Sequence, residues 1–213
     1  MDKFFSKPYF EIWLKQASPE IKKWFQEEID YLKKNIKLDS KILDVGCGFG
    51  RHIKVLAPFS EEVIGIDNNE DMLNKAKQNL SNFKNIKLFL QDAQKLEFDD
   101  GSFDYIICMT NTFWTFLNKK RKILREMKRV LEQNGKIIIS VYSEKATNVR
   151  IKNYEKVGLH IKKMKNGKIY FKEGHITEQF SKKQLVKLSE SIGLKVNIIE
   201  LTPISYLCIA TKS

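Results

Sequence analysis

The chain has 213 residues, of which 42% are hydrophobic and 30% charged, and its formal net charge is +12. This length and composition suit one folded domain with a sizeable core, and they exclude a disordered or collagen-like chain. Because no apolar run approaches ~20 residues, no signal peptide is readable and the three cysteines lie far apart, we expect a cytoplasmic protein without a membrane span, metal site or disulfide framework.

Residues 1–40 predict an N-terminal helical cap. Ser18 and Pro19 mark a helix start, because a serine hydroxyl caps a first turn and proline suits the first helical position. The segment before this start is rich in aromatic side chains, which indicates that it covers another surface. After the start, apolar residues recur at helical spacing: Ile21, Trp24, Phe25, Ile29, Leu32 and Ile36.

From residue 41 onward, predicted strands alternate with predicted helices, which is typical of a parallel sheet with helices on both faces. Only Thr202 and Pro203 separate the last two strands, too few residues for a parallel crossover, so the last strand should be antiparallel. The sequence therefore predicts one α/β domain over residues 41–213 with a seven-stranded, mostly parallel sheet. Its strands are predicted at 41–45, 63–67, 86–91, 103–109, 136–142, 194–201 and 204–211, and its helices at 51–57, 70–80, 119–131 and 182–191.

Residues 143–180 form a predicted β insertion after the fifth strand. Asn166 and Gly167, flanked by strand-forming residues, are a typical hairpin turn. The insertion starts at the carboxyl ends of the strands, where open α/β sheets bind ligands. We therefore expect it to recognise a substrate. His175 in this insertion either faces that substrate or is an ordinary hairpin histidine.

The segment from Asp44 to Gly50 is a strand end that enters a glycine-rich turn and opens a helix. Its G-x-G-x-G spacing differs from the dinucleotide pattern G-x-G-x-x-G, and the absence of a following Gly-Lys-Ser/Thr excludes a phosphate-binding P-loop. The Asp44 carboxylate disfavours pyrophosphate and favours a ligand that carries an ammonium and a sulfonium group. S-adenosylmethionine is such a ligand.

Acidic residues end the first three predicted strands: Asp44, Asp67 and Asp92. A carboxylate in the position of Asp67 can accept both ribose hydroxyls, and Asp92 can accept a hydrogen bond from an adenine amino group. Each residue alone is explained as a helix N-cap or a solvated strand end. Together they favour a nucleoside site.

Residues 41–142 resemble the class I S-adenosylmethionine-dependent methyltransferases, in particular the ubiquinone/menaquinone-biosynthesis type with small-molecule acceptors. The resemblance rests on the glycine turn, the Gly65–Asp67 strand end with Met72 after it, Gln91-Asp92-Ala93, residues 101–106 and residues 126–136. It implies a Rossmann-like sheet, S-adenosylmethionine as cofactor and S-adenosylhomocysteine as product. The cofactor residues that it implies are Asp44, Gly46, Cys47, Gly48, Gly50, Asp67, Asn68, Met72, Asp92, Ala93 and Met109.

Methyl transfer from a sulfonium is an in-line displacement, so the main task of such an enzyme is alignment, and a general base is optional. The candidate residues near the acceptor are Tyr9, Trp114 and His175. An aromatic cage could stabilise the cation that develops when an amine is methylated, although the same side chains could simply pack the cap onto the sheet. The candidate cage residues are Tyr9, Phe10, Trp13, Trp114, Tyr170 and Phe171.

Three functions remain open from the sequence. The first is methylation of a small metabolite at nitrogen, oxygen or carbon. The second is RNA methylation, because residues 107–213 carry 22 basic and 8 acidic side chains, although 33 of the 38 basic residues are lysine, which is typical of a solvated surface. The third is a non-catalytic regulatory protein that binds S-adenosylmethionine. The sequence does not predict an oligomeric state.

Overall fold

The structure, a computed structural model, describes residues 9–213, and their side chains from Ile12 onward. The helices are Tyr9–Lys15 (α1), Pro19–Asn35 (α2), Arg51–Leu56 (α3), Glu70–Asn79 (α4), Lys120–Val130 (α5), Thr147–Glu155 (α6) and Lys182–Glu190 (α7). The strands are Lys41–Val45 (β1), Glu62–Asp67 (β2), Ile86–Leu90 (β3), Phe103–Cys108 (β4), Leu131–Tyr142 (β5), Ile161–Lys165 (β6), Lys168–Phe171 (β7), Ile176–Glu178 (β8), Leu194–Thr202 (β9) and Ser205–Lys212 (β10).

Seven strands form the main sheet in the order β3-β2-β1-β4-β5-β10-β9. The last strand, β10, pairs antiparallel with both β5 and β9, whereas the pairs β1–β2, β1–β4, β2–β3 and β4–β5 are parallel. The predicted fold is therefore confirmed. The strand order reverses between β1 and β4, and such a reversal opens a crevice at the carboxyl ends of the strands.

Two apolar cores cover the two faces of this sheet. Because neighbouring residues of a strand point to opposite faces, Leu43 belongs to the core under α5 and α7, whereas Ile42 belongs to the core under α2, α3 and α4. Leu32 and Ile36, at the end of the predicted cap, lie in the second of these cores. The second half of α2 thus packs on the sheet itself.

A small antiparallel sheet, in the order β6-β7-β8, forms the predicted insertion. The predicted hairpin is confirmed, since β6 and β7 pair across Asn166 and Gly167, which both have positive φ. Helix α6 in the same segment was not predicted. A third apolar core joins this insertion to α1, the start of α2 and the end of β5, and its aromatic members are Trp13, Trp24, Tyr142, Tyr154 and Phe171.

Within residues 9–213, no helix combines the length and the apolar character that crossing a bilayer requires.

Candidate functional site

A central cavity of about 790 Å³ opens at the carboxyl ends of β1 to β5. Its glycine-turn end is lined by the turn after β1 and by the residues that follow β2 and β3. Its aromatic end is lined by α1, the segment after β4, the end of β5, α6 and the insertion. The residues that define this aromatic end are Trp13, Trp114, Tyr142, Tyr154 and Ile176.

The backbone of the glycine turn is fastened to β2 and leaves one position open. The N–H groups of Gly46 and Cys47 both donate to the carbonyl oxygen of Ile66, at 2.8 and 3.0 Å. Gly46 has φ +75°, and a β-carbon there would overlap the Thr112 side chain. Gly48 has φ +54°, but apart from its two chain neighbours no described residue has an atom within 4 Å of the place of its missing β-carbon. A ligand can therefore approach the backbone closely at Gly48.

The Asp67 carboxylate, at the end of β2, holds the turn in place. Its Oδ2 accepts a hydrogen bond from the Gly48 N–H at 2.9 Å, and its Oδ1 accepts one from the Asn69 N–H at 2.9 Å. Burial raises the pKa of Asp67, while these backbone hydrogen bonds oppose the rise because they favour the charged form. Asp67 also lines the cavity.

The Asp44 carboxyl group lies beneath the turn and is not part of the cavity wall. Its side chain is buried, and its Oδ2 has no hydrogen-bond partner among the residues that the structure describes. Burial and the neighbouring charge of Asp67 raise the pKa of Asp44 to about 8. A positively charged ligand above the turn would favour the ionised form of this group.

The other predicted cofactor residues all line the cavity, except Gly50. Gly50 is not part of the cavity wall, and with φ +85° it is the N-cap residue of α3. The Asp92 carboxylate accepts hydrogen bonds from the backbone N–H and the side-chain amide of Gln94, at 2.9 and 2.6 Å. The predicted residues that line the cavity are Gly46, Cys47, Gly48, Asp67, Asn68, Met72, Asp92, Ala93 and Met109.

Of the three candidate residues near the acceptor, Trp114 lines the aromatic end. His175 is buried behind this wall, and its ring centroid lies 5.1 Å from those of Trp114 and Tyr154. The residues on either side of it, Gly174 and Ile176, line the cavity. The side chains of Tyr9 and Phe10 lie outside the described residues. Tyr170 and Phe171, the other predicted cage residues, are not part of the wall.

A buried ionic network around Glu28 escaped the sequence analysis. From α2, its carboxylate accepts hydrogen bonds from the Thr110 N–H at 2.8 Å and the Thr110 hydroxyl at 2.7 Å, and it pairs with Arg51 at 2.7 Å. His52 Nε2 lies 3.3 Å from it. Glu28 is fully buried, and Arg51 and His52 both line the cavity. The network joins α2 to the start of α3 and to the loop after β4.

The charges of this network are set by competing effects. Burial opposes ionisation of Glu28, but the hydrogen bond from His52 and the charge of Arg51 outweigh it and hold the pKa of Glu28 at about 2. Burial and the Arg51 charge lower the pKa of His52 to about 4. Near neutral pH the network is therefore an ion pair between Glu28 and Arg51 beside a neutral histidine. The helical periodicity of the sequence places Glu28 on a helix, but it does not predict that Glu28 contacts Arg51 and Thr110.

Three more residues of the wall were also missed. Gln91 lines the glycine-turn end, and its buried Oε1 has no hydrogen-bond partner within residues 9–213. Asn111 follows β4 with φ +60°, and its Oδ1 accepts a hydrogen bond from the Tyr142 N–H at 3.1 Å. Tyr142 ends β5 and lines the aromatic end. In the sequence, Gln91 stood beside Asp92, Asn111 stood in the segment after the fourth predicted strand and Tyr142 ended the fifth, but none of the three was assigned to the site.

Comparisons with known proteins agree with this geometry. A family model described as a methyltransferase domain matches residues 36–190. An uncharacterized protein of Methanocaldococcus jannaschii is 30% identical over 83% of this chain and 78% of its own length. A demethylmenaquinone methyltransferase of Staphylococcus aureus is 36% identical over 48% of this chain and 43% of its own length. The crystal structure of a SAM-dependent methyltransferase from Aquifex aeolicus is similar with a TM-score of 0.68, at 20% identity, over 93% of this chain and 95% of that one.

Proposed function

The chain belongs to the class I S-adenosylmethionine-dependent methyltransferases, and from that premise we propose that it methylates a small-molecule acceptor. The observation that carries the proposal is the central cavity, which runs from the glycine turn to an aromatic end closed by α1 and the insertion. Its volume of about 790 Å³ is typical of a small-molecule site.

The residues at the glycine-turn end fit S-adenosylmethionine. The open position at Gly48 admits the methionine part of the cofactor, and the unpaired Oδ2 of Asp44 lies beneath it as a negative counter-charge. We assign Asp67 to the ribose hydroxyls. Gln91 and Asp92 supply acceptor oxygens for the adenine amino group. Cys47, Asn68, Met72, Ala93 and Met109 complete the wall around the cofactor.

When bound, the cofactor supplies a methyl group that is activated by its sulfonium charge. The task of the chain is then to align the acceptor and to exclude water. We assign Trp114 and Tyr154 to this task, since both line the aromatic end. The loop that carries Trp114 is held by Asn111, whose side-chain amide donates to the Glu178 carbonyl at 3.3 Å. This contact ties the loop after β4 to the insertion.

The test is methyl transfer from labelled S-adenosylmethionine into a metabolite extract by the full chain. We expect label in a small-molecule fraction, with an equal amount of S-adenosylhomocysteine formed. Calorimetric titration with S-adenosylhomocysteine checks the cofactor site separately. Binding without transfer to any fraction would favour a regulatory protein, and no binding would contradict the assignment of the glycine-turn end.

RNA methylation is the second candidate, because of the lysines of the insertion. All residues of β6 after Ile161 are exposed, and Lys162, Lys163 and Lys165 are among them. This strand belongs to the segment that closes the aromatic end. If RNA is the substrate, label should enter a nuclease-sensitive fraction, and RNA affinity should fall steeply as salt is raised. Affinity that does not depend on salt would contradict this candidate.

A further inference from the structure

The two end strands of the main sheet expose different kinds of side chain. The sheet ends in β3 on one side and in β9 on the other. An end strand carries unpaired N–H and C=O groups, and proteins usually protect such an edge with charged or polar side chains. On β9 the exposed residues are Lys195, Asn197 and Glu200. On β3, by contrast, Phe89 and Leu90 are 41% and 59% exposed. The edge at β3 is therefore suited to pairing with another strand.

The charged residue of β3, Lys87, does not protect this edge. Its ammonium group pairs with the Glu62 carboxylate of β2, so its charge is held toward the neighbouring strand. Phe89 packs edge-on against Phe98, which packs in turn against Phe103, at 6.0 and 5.1 Å between ring centroids. Because Phe98 and Phe103 belong to the core under α5 and α7, the exposed apolar surface of β3 is continuous with that core.

The backbone of β3 turns alternate residues toward β2 and toward the open side. The Gln91 N–H donates to the Asp67 carbonyl at 3.0 Å. The Val63 N–H donates to the Asn85 carbonyl at the same distance. Residues 85 and 91 thus face β2, and the N–H and C=O groups of the even-numbered residues between them face outward. These outward-facing residues are Ile86, Leu88 and Leu90. Among the strands of residues 9–213, β3 pairs only with β2.

Two copies of this edge complement each other in one antiparallel register. A two-fold axis beside Leu88 pairs all five residues of β3 with the five residues of the other copy. It sets Ile86 opposite Leu90 and Leu88 opposite its own copy, so apolar side chains meet on one face. Just beyond the strand, it sets Lys84 opposite Asp92, and both residues are exposed. The edge therefore matches its own two-fold image in polarity and in charge.

The neighbouring registers are less favourable. An axis beside Lys87 sets this cation opposite its own copy, and like charges in direct opposition are destabilising. An axis beside Phe89 sets Ile86 opposite Asp92, an apolar residue against a carboxylate. In the register centred on Leu88, Lys87 lies opposite Phe89 instead, where its aliphatic stem covers the exposed ring.

We propose that the free edge of β3 is the docking surface for a second copy of this chain, which pairs antiparallel along residues 84–92 and extends the main sheet across both copies. The strand runs directly into Gln91 and Asp92, which line the glycine-turn end of the cavity, so the interface lies beside that end. The paired segment is short, and we expect a dimer that dissociates at micromolar concentrations. The inference is independent of the reaction that the chain catalyses.

Sedimentation velocity of the full chain, without cofactor, measures the dimer directly. Between about 1 and 100 µM, the mean mass should rise from that of one chain toward that of two. Leu90→Lys places a charge at an exposed position of the edge and should raise the dissociation constant about tenfold or more. Asn197→Lys makes the same addition on β9 and, as the control, should leave the constant within about twofold. Leu90→Pro removes an outward N–H but no bond to β2, so it should weaken the dimer as strongly.

Charge reversal tests the register. Lys84→Glu sets two acidic side chains opposite each other and should weaken the dimer about fivefold, and Asp92→Lys does the same with two basic ones. The double variant restores the attraction and should return the dissociation constant to within about twofold of the unmodified chain. Lys195→Glu, an equal change of charge on β9, is the control and should have no effect.

Three outcomes overturn the inference. The first is the mass of a single chain at every concentration, which would leave the β3 edge to a different protein. The second is a dimer that neither Leu90→Lys nor Leu90→Pro weakens. The third is a charge-reversed double variant that dimerises no better than the two single variants. Circular dichroism of each variant separates loss of the dimer from loss of the fold.

Discussion

The two ends of the central cavity are built in different ways. The glycine-turn end is shaped by backbone: two N–H groups of the turn bond to Ile66, and Asp67 fastens the Gly48 N–H. The aromatic end is shaped by side chains from α1, the loop after β4, β5, α6 and the insertion. Backbone geometry suits a cofactor that is the same in every reaction, whereas side chains can differ for each acceptor. The network around Glu28 connects the two ends.

The largest expected effect is the loss of stability when the Glu28 carboxylate is removed. Glu28→Gln leaves Arg51 without its buried carboxylate partner, so we expect the free energy of unfolding to fall by about 3–5 kcal/mol. Denaturant unfolding measures this loss. Glu27→Gln, in the neighbouring half-buried residue, is the control and should cost below about 1 kcal/mol. A loss this small for Glu28→Gln would mean that the buried ion pair does not stabilise the fold.

The same variant should change the pH dependence of stability. The pKa of Glu28 is about 2 in the folded protein, against an ordinary value of 4.5. Its contribution is therefore fully present above the ordinary pKa and is lost as pH falls toward the folded one. Glu28→Gln should flatten the stability curve in that acid range.

Substitution of a single glycine should separate an effect on cofactor affinity from an effect on stability. Gly48 and Gly101 both have positive φ, at +54° and +70°, and at both positions the space around the missing β-carbon is open with respect to the described residues beyond the chain neighbours. Alanine should therefore cost about 1–2 kcal/mol of stability at either position. Only Gly48→Ala puts a methyl group into the cavity, so we expect S-adenosylhomocysteine affinity to fall about 30-fold or more in that variant alone. Equal affinities in the two variants would contradict the close approach at Gly48.

A smaller effect is expected from Asp67→Asn, which keeps the size of the side chain but removes its charge. The variant loses a charged acceptor for the Gly48 N–H and for the proposed ribose contact, so binding should weaken by about 1–3 kcal/mol in calorimetry. Asp71→Asn, an exposed residue in the first turn of α4, makes the same change of charge and should leave binding unaltered. Loss of affinity in both variants would point to long-range charge rather than contact.

The smallest expected effect is the release of a proton from Asp44 when the cofactor binds. The pKa of Asp44 is raised from 3.8 to about 8, so between these values the folded protein holds a proton that the unfolded chain has lost. Asp44 accordingly reduces stability as pH rises through that window. Within the described part of the chain, the charges of Asp67 and Glu28 favour its neutral form, whereas the charge of Arg51 favours the ionised form.

Binding of a positively charged cofactor above Asp44 should therefore release close to one proton at about pH 6.5. Calorimetry in two buffers of different ionisation enthalpy measures this number. Asp44→Asn has no proton to lose at this site and should show a release near zero. The same release in both proteins would assign the proton to another group.

Much of the glycine-turn end could be predicted because its signals are local. The spacing of Gly46, Gly48 and Gly50 and the acids Asp67 and Asp92 are adjacent to recognisable strand ends, and parallel strands bring such ends to one edge. Even here, the burial of Asp44 beneath the turn emerged only from packing. The assignment of individual residues to the cofactor remains a prediction.

The amino-acid sequence by itself determined the alternation of strands and helices, the antiparallel last strand and the glycine turn, because periodicity and turn chemistry act over a few residues. The tertiary structure alone decided the acceptor surroundings. It brought Glu28 to Thr110 and Trp24 to Ser140, and it buried the Tyr142 hydroxyl without a polar partner among the described residues. These residues lie far apart in the chain, and their charges and hydroxyls take part in no repeating pattern. Which of them meet depends on how three cores pack, and packing is a property of the folded chain.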